Sequence, residues 1–100
     1  MSSDFTQKYE AKFGAGSRNG FAGYSHDAVK LLDAAAPAAL KKARPGTAEF
    51  REALRASLET VQNVIGTHGV YSMSAANHNG LDERARVLVH VENGAWRLMK

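Results

Sequence analysis

The chain has 100 residues, which is enough for one domain with a modest core and too few for two lobes with a cleft between them. It contains no cysteine, so disulfides and thiolate metal sites are excluded, and its 44% hydrophobic content is that of a globular protein. The net charge of +3 comes from basic residues mixed with acidic ones along the chain, which favours a solvated surface over a nucleic-acid-binding face.

The first predicted element is an amphipathic helix near the N-terminus. Phe5, Tyr9 and Phe13 recur at every fourth position and would form one aromatic stripe, and the glycine that follows would end the helix. Residues 15–23 are rich in glycine and small polar side chains, which predicts a loop. Phe21 is the one large apolar side chain of this loop.

Two further helices are predicted before residue 60. Helical periodicity covers residues 25–43, and Pro37 within it would kink the helix or divide it in two, because proline lacks a backbone N–H and clashes with the preceding turn. Thr47 is a suitable N-cap for the next helix. Apolar side chains of that helix recur every fourth residue, at Phe50, Leu54 and Leu58.

After residue 61 the apolar period shortens to two, which predicts strands at residues 70–74, 87–91 and 96–99. Asn93 and Gly94 tolerate positive φ and predict a hairpin between the last two. The expected fold class is therefore α+β as an isolated fragment, with N-terminal helices followed by a small antiparallel sheet with a C-terminal hairpin. We expect residues 1–100 to form a single domain or fragment, with a helical part at 3–60 and a β part at 61–100.

The sequence predicts no catalytic residue, no metal site and no cofactor. Histidine occurs at His26, His68, His78 and His90. No two of these are spaced as metal ligands on one helix face, and there is no motif for a nucleophilic serine or a phosphate-binding loop. The stretch "ANHNGLDERA" (residues 76–85) concentrates polar side chains, but its asparagines and glycine favour a turn that leads into a strand at Ala85.

Three stretches together resemble one known protein family. They are "KYEAKFGAGSRNGFAGYSHDAVKLL" (residues 8–32), "PGTAEFREALRASLETVQNVIGTHGVYSMSAANHNGLDERA" (residues 45–85) and "VLVHVENGAWRLM" (residues 87–99). They are similar to the C-terminal segment of the solute-binding proteins of ABC transporters in the branched-chain amino acid class, which have the type I periplasmic binding fold. In that family a helix starting near "Y-D-A-V" precedes a further helix, a "G-x-x-G-x-x-x-F/M-S" motif, a polar turn and strands ending in "G-x-W".

The resemblance implies that the parent protein has an α/β fold of two lobes that closes around a small solute and delivers it to an ABC permease, without catalysis. The implied solute is an amino acid or an aromatic or aliphatic carboxylate. The implied location is the periplasm, although this chain shows no signal peptide. In the family the loop that enters the "Y-D-A-V" helix supplies a wall for the solute, and Phe21 and Tyr24 hold the matching positions. Phe21 could instead anchor this loop to the core, and His26 stands where an aromatic residue is usual.

A fragment of such a receptor would expose apolar helix faces that normally pack on a parallel sheet. We expect it to associate with itself as a homo-oligomer, because large apolar patches and unpaired strands promote association. The alternative is an autonomous small α+β domain that acts as a self-associating interaction module or holds a small-ligand pocket. In the pocket alternative, His90 or Asp82 would have a perturbed pKa.

Overall fold

The computed structural model of the protein describes residues 3–99. The helices are α1 (Ser3–Phe13), α2 (Gly20–Leu40) and α3 (Ala48–Leu58). The strands are β1 (Val64–Ile65), β2 (Val70–Tyr71), β3 (Val89–Glu92) and β4 (Ala95–Leu98), with a single 3₁₀ turn at Glu83–Ala85. The predicted α+β order is confirmed. The strands form two separate antiparallel pairs, β1–β2 and β3–β4.

Helix α2 begins earlier than the sequence predicts, so the expected loop across residues 15–23 is too long. The Oδ1 atom of Asn19 accepts a hydrogen bond from the N–H of Ala22 at 3.0 Å and caps the helix. Phe21 and Tyr24 therefore lie in the first turns of α2 rather than in a loop. Two glycines in these turns concealed the helix, because glycine lowers intrinsic helix propensity.

Helix α2 is also continuous through Pro37, so of the two effects predicted for this proline, a kink or a division of the helix, the division is wrong. The proline lies three residues before the end of α2 at Leu40. Its missing N–H therefore removes one hydrogen bond from the final turn, and only three helical residues follow the proline.

Helices α2 and α3 pack against each other in the most extensive contact between elements of the described structure. The N-cap of α3 is confirmed, because Thr47 Oγ1 accepts a hydrogen bond from the N–H of Phe50 at 3.1 Å. The buried apolar side chains are Ala35, Ala39, Val61 and Tyr71. Small alanines on the buried face of α2 let its neighbours approach closely, since the distance between packed elements depends on the side chains at the contact.

The first strand pair is short and ends in a tight turn over Gly66–Gly69. Val64 is paired with Tyr71, and the N–H of Gly66 donates to the carbonyl of Gly69 at 2.8 Å. The strand predicted to reach residue 74 ends at Tyr71 because Ser72 donates instead to the Gly80 carbonyl at 2.9 Å.

The β3–β4 hairpin is confirmed at the predicted turn. Asn93 and Gly94 both have positive φ, at 50° and 74°, as a two-residue type I′ turn requires. The register pairs Val89 with Leu98 and Val91 with Trp96, which puts four apolar side chains on one face. Every residue of both strands is exposed, so this face is uncovered.

The described chain is elongated, with a Cα radius of gyration of 16.9 Å and extents of 55 × 33 × 18 Å. A compact domain of this length has a radius of gyration of about 13 Å. Within residues 3–99, no helix has the length and apolar character needed to cross a bilayer.

Candidate functional site

The most constrained polar group of the described structure is the carboxylate of Asp27, on α2. The side chain is only 2% exposed. Its Oδ1 accepts a hydrogen bond from the N–H of Thr67 at 2.6 Å. Its Oδ2 accepts from the N–H of His68 at 3.1 Å and from the hydroxyl of Tyr71 at 2.9 Å. Three donors from the β1–β2 region thus converge on one carboxylate and fix the turn against α2.

These contacts determine the charge of the site. Burial of the Asp27 carboxylate would raise its pKa, but the hydrogen bonds from the backbone of Thr67 and His68 and from Tyr71 outweigh burial, so the pKa lies below its ordinary value of 3.8. Burial and the bond to this anion raise the pKa of the Tyr71 hydroxyl above its ordinary value of 10.0. Asp27 is therefore an anion and Tyr71 a neutral donor at physiological pH.

Two glycines make the contact between α2 and the turn possible. A Cβ atom at Gly66 would lie 2.6 Å from the carboxylate of Asp27 and 2.6 Å from the ring of Tyr71. A Cβ atom at Gly23 would lie 2.7 Å from Thr67 Oγ1 and 2.7 Å from His68 Nε2. Both distances are shorter than side-chain contacts in folded proteins, so a larger residue at either position would push the turn away from α2.

The two residues predicted to line a solute site, Phe21 and Tyr24, lie three positions apart on the same face of α2. Phe21 is 84% exposed, so it does not anchor the chain to the core of the described structure. The Tyr24 ring is half exposed and stacks on the His68 ring, with centroids 3.7 Å apart and an interplanar angle of 12°. His68 Nε2 lies 3.0 Å from the carbonyl of Gly20. We call Phe21, Tyr24 and His68 the aromatic shelf.

Beside the shelf lies a pocket of about 470 Å³ between α1, the start of α2 and the β1–β2 turn, which we call the α1–α2 pocket. It is lined by Phe5, Thr6, Tyr9, Arg18, Asn19, Gly20, Ala22, Gly23, Thr67 and His68. Phe21 and Tyr24 do not line this pocket, so the structure separates them from it. His26, whose role the sequence left open, stacks on Phe5 with ring centroids 4.4 Å apart and joins α1 to α2.

Asp27, Thr67 and His68 were not predicted from the sequence as parts of the site. Asp27 is separated from Thr67 by 40 positions, so no local pattern links them. A weak signal did exist: the "G-T-H-G" stretch at residues 66–69 has glycines on both sides of a polar pair, which is typical of a tight turn in close contact with another element.

A second concave surface lies farther along α2, where it meets α3. This α2–α3 groove has a volume of about 400 Å³. It is lined by Ala28, Leu31, Leu32, Arg55, Leu58, Glu59, Met73 and His78. The apolar helix faces expected to be exposed in a fragment carry Leu31, Leu32, Leu54 and Leu58. In the structure Leu32 is exposed, whereas the other three leucines are partly covered.

The polar stretch at residues 76–85 is a turn, as predicted. Asn77 Oδ1 accepts hydrogen bonds from the N–H groups of Asn79 and Gly80, at 3.0 and 3.1 Å. The expectation of a strand from Ala85 is wrong, because Asp82 instead caps a 3₁₀ turn by accepting from the N–H of Arg84 at 3.0 Å. Hydrogen bonds from the Arg84 side chain and backbone lower the pKa of Asp82, so this shift reflects a surface ion pair.

Across residues 3–99, no three histidine, aspartate or glutamate side chains are grouped closely enough to hold a metal ion. The arrangement that the structure does provide is a shape: an exposed aromatic shelf and an adjoining pocket, beside the turn that the Asp27 contacts join to α2. Such a surface can contact a flat or apolar molecule.

Solved structures of known proteins share this fold. An extracellular ligand-binding receptor from Rhodopseudomonas palustris HaA2 is 46% identical with a TM-score of 0.83, and the match covers 95% of this chain and 27% of that one. Another extracellular ligand-binding receptor from Rhodopseudomonas palustris is 46% identical with a TM-score of 0.82, over 95% of this chain and 26% of that one. A further receptor of this description from strain HaA2 is 36% identical with a TM-score of 0.76, over 98% of this chain and 29% of that one.

These similarities confirm the resemblance expected from the sequence motifs, and they are consistent with a fragment of a type I periplasmic binding protein. The chain spans about a quarter of the length of the receptors that it matches. No family model and no curated protein matches it.

Proposed function

We propose that this chain, which corresponds in sequence and fold to a quarter-length segment of extracellular ligand-binding receptors, contributes one wall of the solute site in such a receptor. The observation that carries the proposal is the match at 46% identity and a TM-score of 0.83 over 95% of the chain. Residues 1–100 act in it as one structural unit. The proposal assigns binding to the chain and no catalysis.

In this proposal Phe21 and Tyr24 touch the solute. Support comes from the exposure of Phe21 and from the rigid stacking of Tyr24 on His68. An exposed phenylalanine on a helix that is fixed by a buried carboxylate is a preorganised apolar contact, and preorganisation lowers the entropy lost on binding. The remaining polypeptide of the receptor would close over this surface by a hinge motion and exclude water.

The finer assignment is the solute-binding component of an ABC importer. We propose that the parent receptor works in the periplasm, binds branched-chain amino acids or related small carboxylates, and delivers them to a membrane permease. The motifs at residues 24–29 and 66–74 support this class, since they occur in the order of the branched-chain amino acid receptors.

A chimeric receptor tests the proposal. Residues 3–99 would replace the matching segment of the 46% identical HaA2 receptor, and calorimetry would measure solute binding to the chimera. We expect the chimera to bind the solute of the host receptor, and Phe21→Ala to weaken binding by about tenfold, because it removes a large apolar contact. Val29→Ala removes an exposed apolar side chain farther along the same helix and is the matched control.

Two results would contradict the proposal. A folded chimera that binds none of the amino acids and small carboxylates tested would reject the receptor function. Equal effects of Phe21→Ala and Val29→Ala would reject the assignment of the aromatic shelf as a wall of the solute site, while leaving the receptor function standing.

The second candidate function is an autonomous α+β domain that associates with itself. It is favoured by one observation, the uncovered apolar face of the β3–β4 hairpin, where Trp96 is 75% exposed. Two copies could bury these faces against each other in a two-fold dimer. The chimera separates this function from the first, because an autonomous self-associating domain predicts a folded chimera that binds no solute.

A further inference from the structure

We infer that Asn93 is a site of covalent modification, at which the backbone nitrogen of Gly94 displaces the side-chain amide and the turn between β3 and β4 becomes aspartate or isoaspartate. The inference comes from a comparison of the three Asn–Gly pairs of the chain and does not depend on the proposed receptor function. The pairs are Asn19–Gly20, Asn79–Gly80 and Asn93–Gly94.

The reaction needs only the chain and water. The nitrogen of Gly94 forms a bond to Cγ of Asn93, and its proton leaves with the side-chain nitrogen as ammonia, so that a cyclic imide remains. Glycine favours this step because it has no side chain to hinder the attack. Water then opens the ring. Cleavage of the bond to Cγ gives aspartate, whereas cleavage of the bond to the backbone carbonyl gives isoaspartate, in which the chain continues through the side-chain carbons.

Both reacting groups are free at the hairpin turn. Asn93 is exposed, and its carboxamide forms no hydrogen bond within residues 3–99. The backbone N–H of Gly94 likewise has no acceptor in the described chain. Apart from chain neighbours, no described atom lies within 4 Å of the point where a Cβ atom of this glycine would stand. The nitrogen and the carboxamide can therefore approach each other without breaking another contact.

The pair at residues 79–80 is blocked at its attacking nitrogen. Gly80 is buried, and its N–H donates to Asn77 Oδ1 at 3.1 Å. Its carbonyl accepts a hydrogen bond from the N–H of Ser72 at 2.9 Å. The Oδ1 atom of Asn79 accepts from the N–H of Leu81 at 3.4 Å. Ring closure at this pair would require the loss of these bonds and rearrangement of a packed turn.

The pair at residues 19–20 is blocked at its carboxamide. Oδ1 of Asn19 accepts a hydrogen bond from the N–H of Ala22 at 3.0 Å, and Nδ2 donates to the carbonyl of Ser17 at 3.4 Å. This side chain is the N-cap of α2, and loss of an N-cap costs about 1 kcal/mol. Gly20 is the first residue of the helix, so its backbone is held as well. Attack on this carboxamide would first have to remove the cap.

The two products should have different effects on the hairpin. Asp–Gly suits a two-residue type I′ turn as well as Asn–Gly does, so aspartate preserves the hairpin. Isoaspartate adds a methylene to the backbone at position 93, and the connection from Glu92 to Ala95 no longer has the geometry of that turn. The register that pairs Val91 with Trp96 should then be lost.

Peptide mapping of the isolated 100-residue chain tests the site. The protein would be incubated at mildly alkaline pH and digested with trypsin, which puts the three pairs on separate peptides, residues 19–30, 56–84 and 87–97. Mass spectrometry would measure the conversion of each amide to the acid. We expect Asn93 to react at least about tenfold faster than Asn19 and Asn79. Equal rates at the three pairs, or a faster reaction at either of the other two, would reject the inference.

Unfolded protein is the matched control. In concentrated guanidinium chloride the three rates should agree within about threefold, because each asparagine is followed by glycine and the folded contacts are gone. A preference for Asn93 that persists in the unfolded chain would assign the selectivity to neighbouring residues and overturn the structural argument.

Two further measurements test the ring and its effect. Conversion at Asn93 should give both aspartate and isoaspartate, at a rate that rises with pH because the attacking nitrogen must lose its proton. Aspartate alone, or a rate independent of pH, would reject the cyclic imide. In NMR spectra of the incubated protein, the amide resonances of Val91 and Trp96 should form one set that matches the Asn93→Asp variant and a second set without cross-strand contacts. An isoaspartate form that retains these contacts would reject the predicted effect on the hairpin.

Discussion

At the scale of single residues, Asp27 matters most, because it links α2 to the turn that carries His68. We expect Asp27→Asn to lower the free energy of unfolding by about 2 kcal/mol, since an amide replaces a charged acceptor of three hydrogen bonds and introduces buried donors. Urea unfolding measures the change. Asp33→Asn, at an exposed position of the same helix, is the control and should stay within about 0.5 kcal/mol. Equal effects of the two substitutions would show that the Asp27 contacts contribute little.

The low pKa of Asp27 predicts that the free energy of unfolding depends on pH. The pKa of Asp27 is lower in the folded protein than its ordinary value of 3.8, so the folded state binds the proton less readily than the unfolded state. Its contribution to stability is therefore present above pH 3.8 and is lost as the pH falls through the folded pKa. The difference in unfolding free energy between wild type and Asp27→Asn should thus be constant at neutral pH and shrink below 3.8. A difference that stays constant down to about pH 2 would be contrary to this account.

Residue roles were predictable where they depend on neighbours in sequence. Thr47 as an N-cap and Asn93 and Gly94 as a hairpin turn follow from local backbone chemistry, and the structure confirms them. Asp27 was not predictable in the same way, because its donors are 40 or more positions away and an aspartate in a helix is usually solvated. The assignment of Phe21 and Tyr24 to a solute site remains a prediction that came from family resemblance.

At the scale of elements, two glycines in the first turns of α2 give a matched test. Gly23→Ala should destabilise the protein by about 2 kcal/mol despite its better helix propensity, because the new Cβ would lie 2.7 Å from Thr67 Oγ1 and from His68 Nε2. Gly20→Ala should be neutral or slightly stabilising, because its nearest neighbour is His68 Cε1 at 3.9 Å. Thermal unfolding followed by circular dichroism compares them. A stabilising Gly23→Ala would mean that α2 and the turn are not in close contact.

The elements themselves were largely predictable, and their boundaries were less so. The three helices and the hairpin follow from apolar periodicity. The predicted start of α2 was too late, because Gly20 and Gly23 lower the helix propensity of its first turns although close packing requires glycine there. The predicted effect of Pro37 was too strong, because this residue lies near the end of the helix. In both cases tertiary packing or position along the helix outweighed a local propensity.

At the scale of the whole molecule, the hairpin determines how the isolated chain should behave in solution. Its four apolar side chains face solvent, which favours association of two copies. We expect sedimentation velocity at about 100 μM to show a dimer, and Trp96→Thr to shift it toward monomer by at least about tenfold in dissociation constant. Arg97→Thr alters the opposite face of the same strand and is the control. A wild-type chain that is monomeric at this concentration would reject the association.

The bonds to Asp27 also constrain the order in which the chain can reach this structure. They join residues 40 to 44 positions apart, so each requires closure of a long loop, which costs entropy that local helix contacts do not. Helices α2 and α3 are complete by Leu58, whereas the phenol donor to Asp27 is Tyr71. During synthesis the carboxylate must therefore stay hydrated until thirteen further residues have followed α3, and only then can it enter the interior with its three partners.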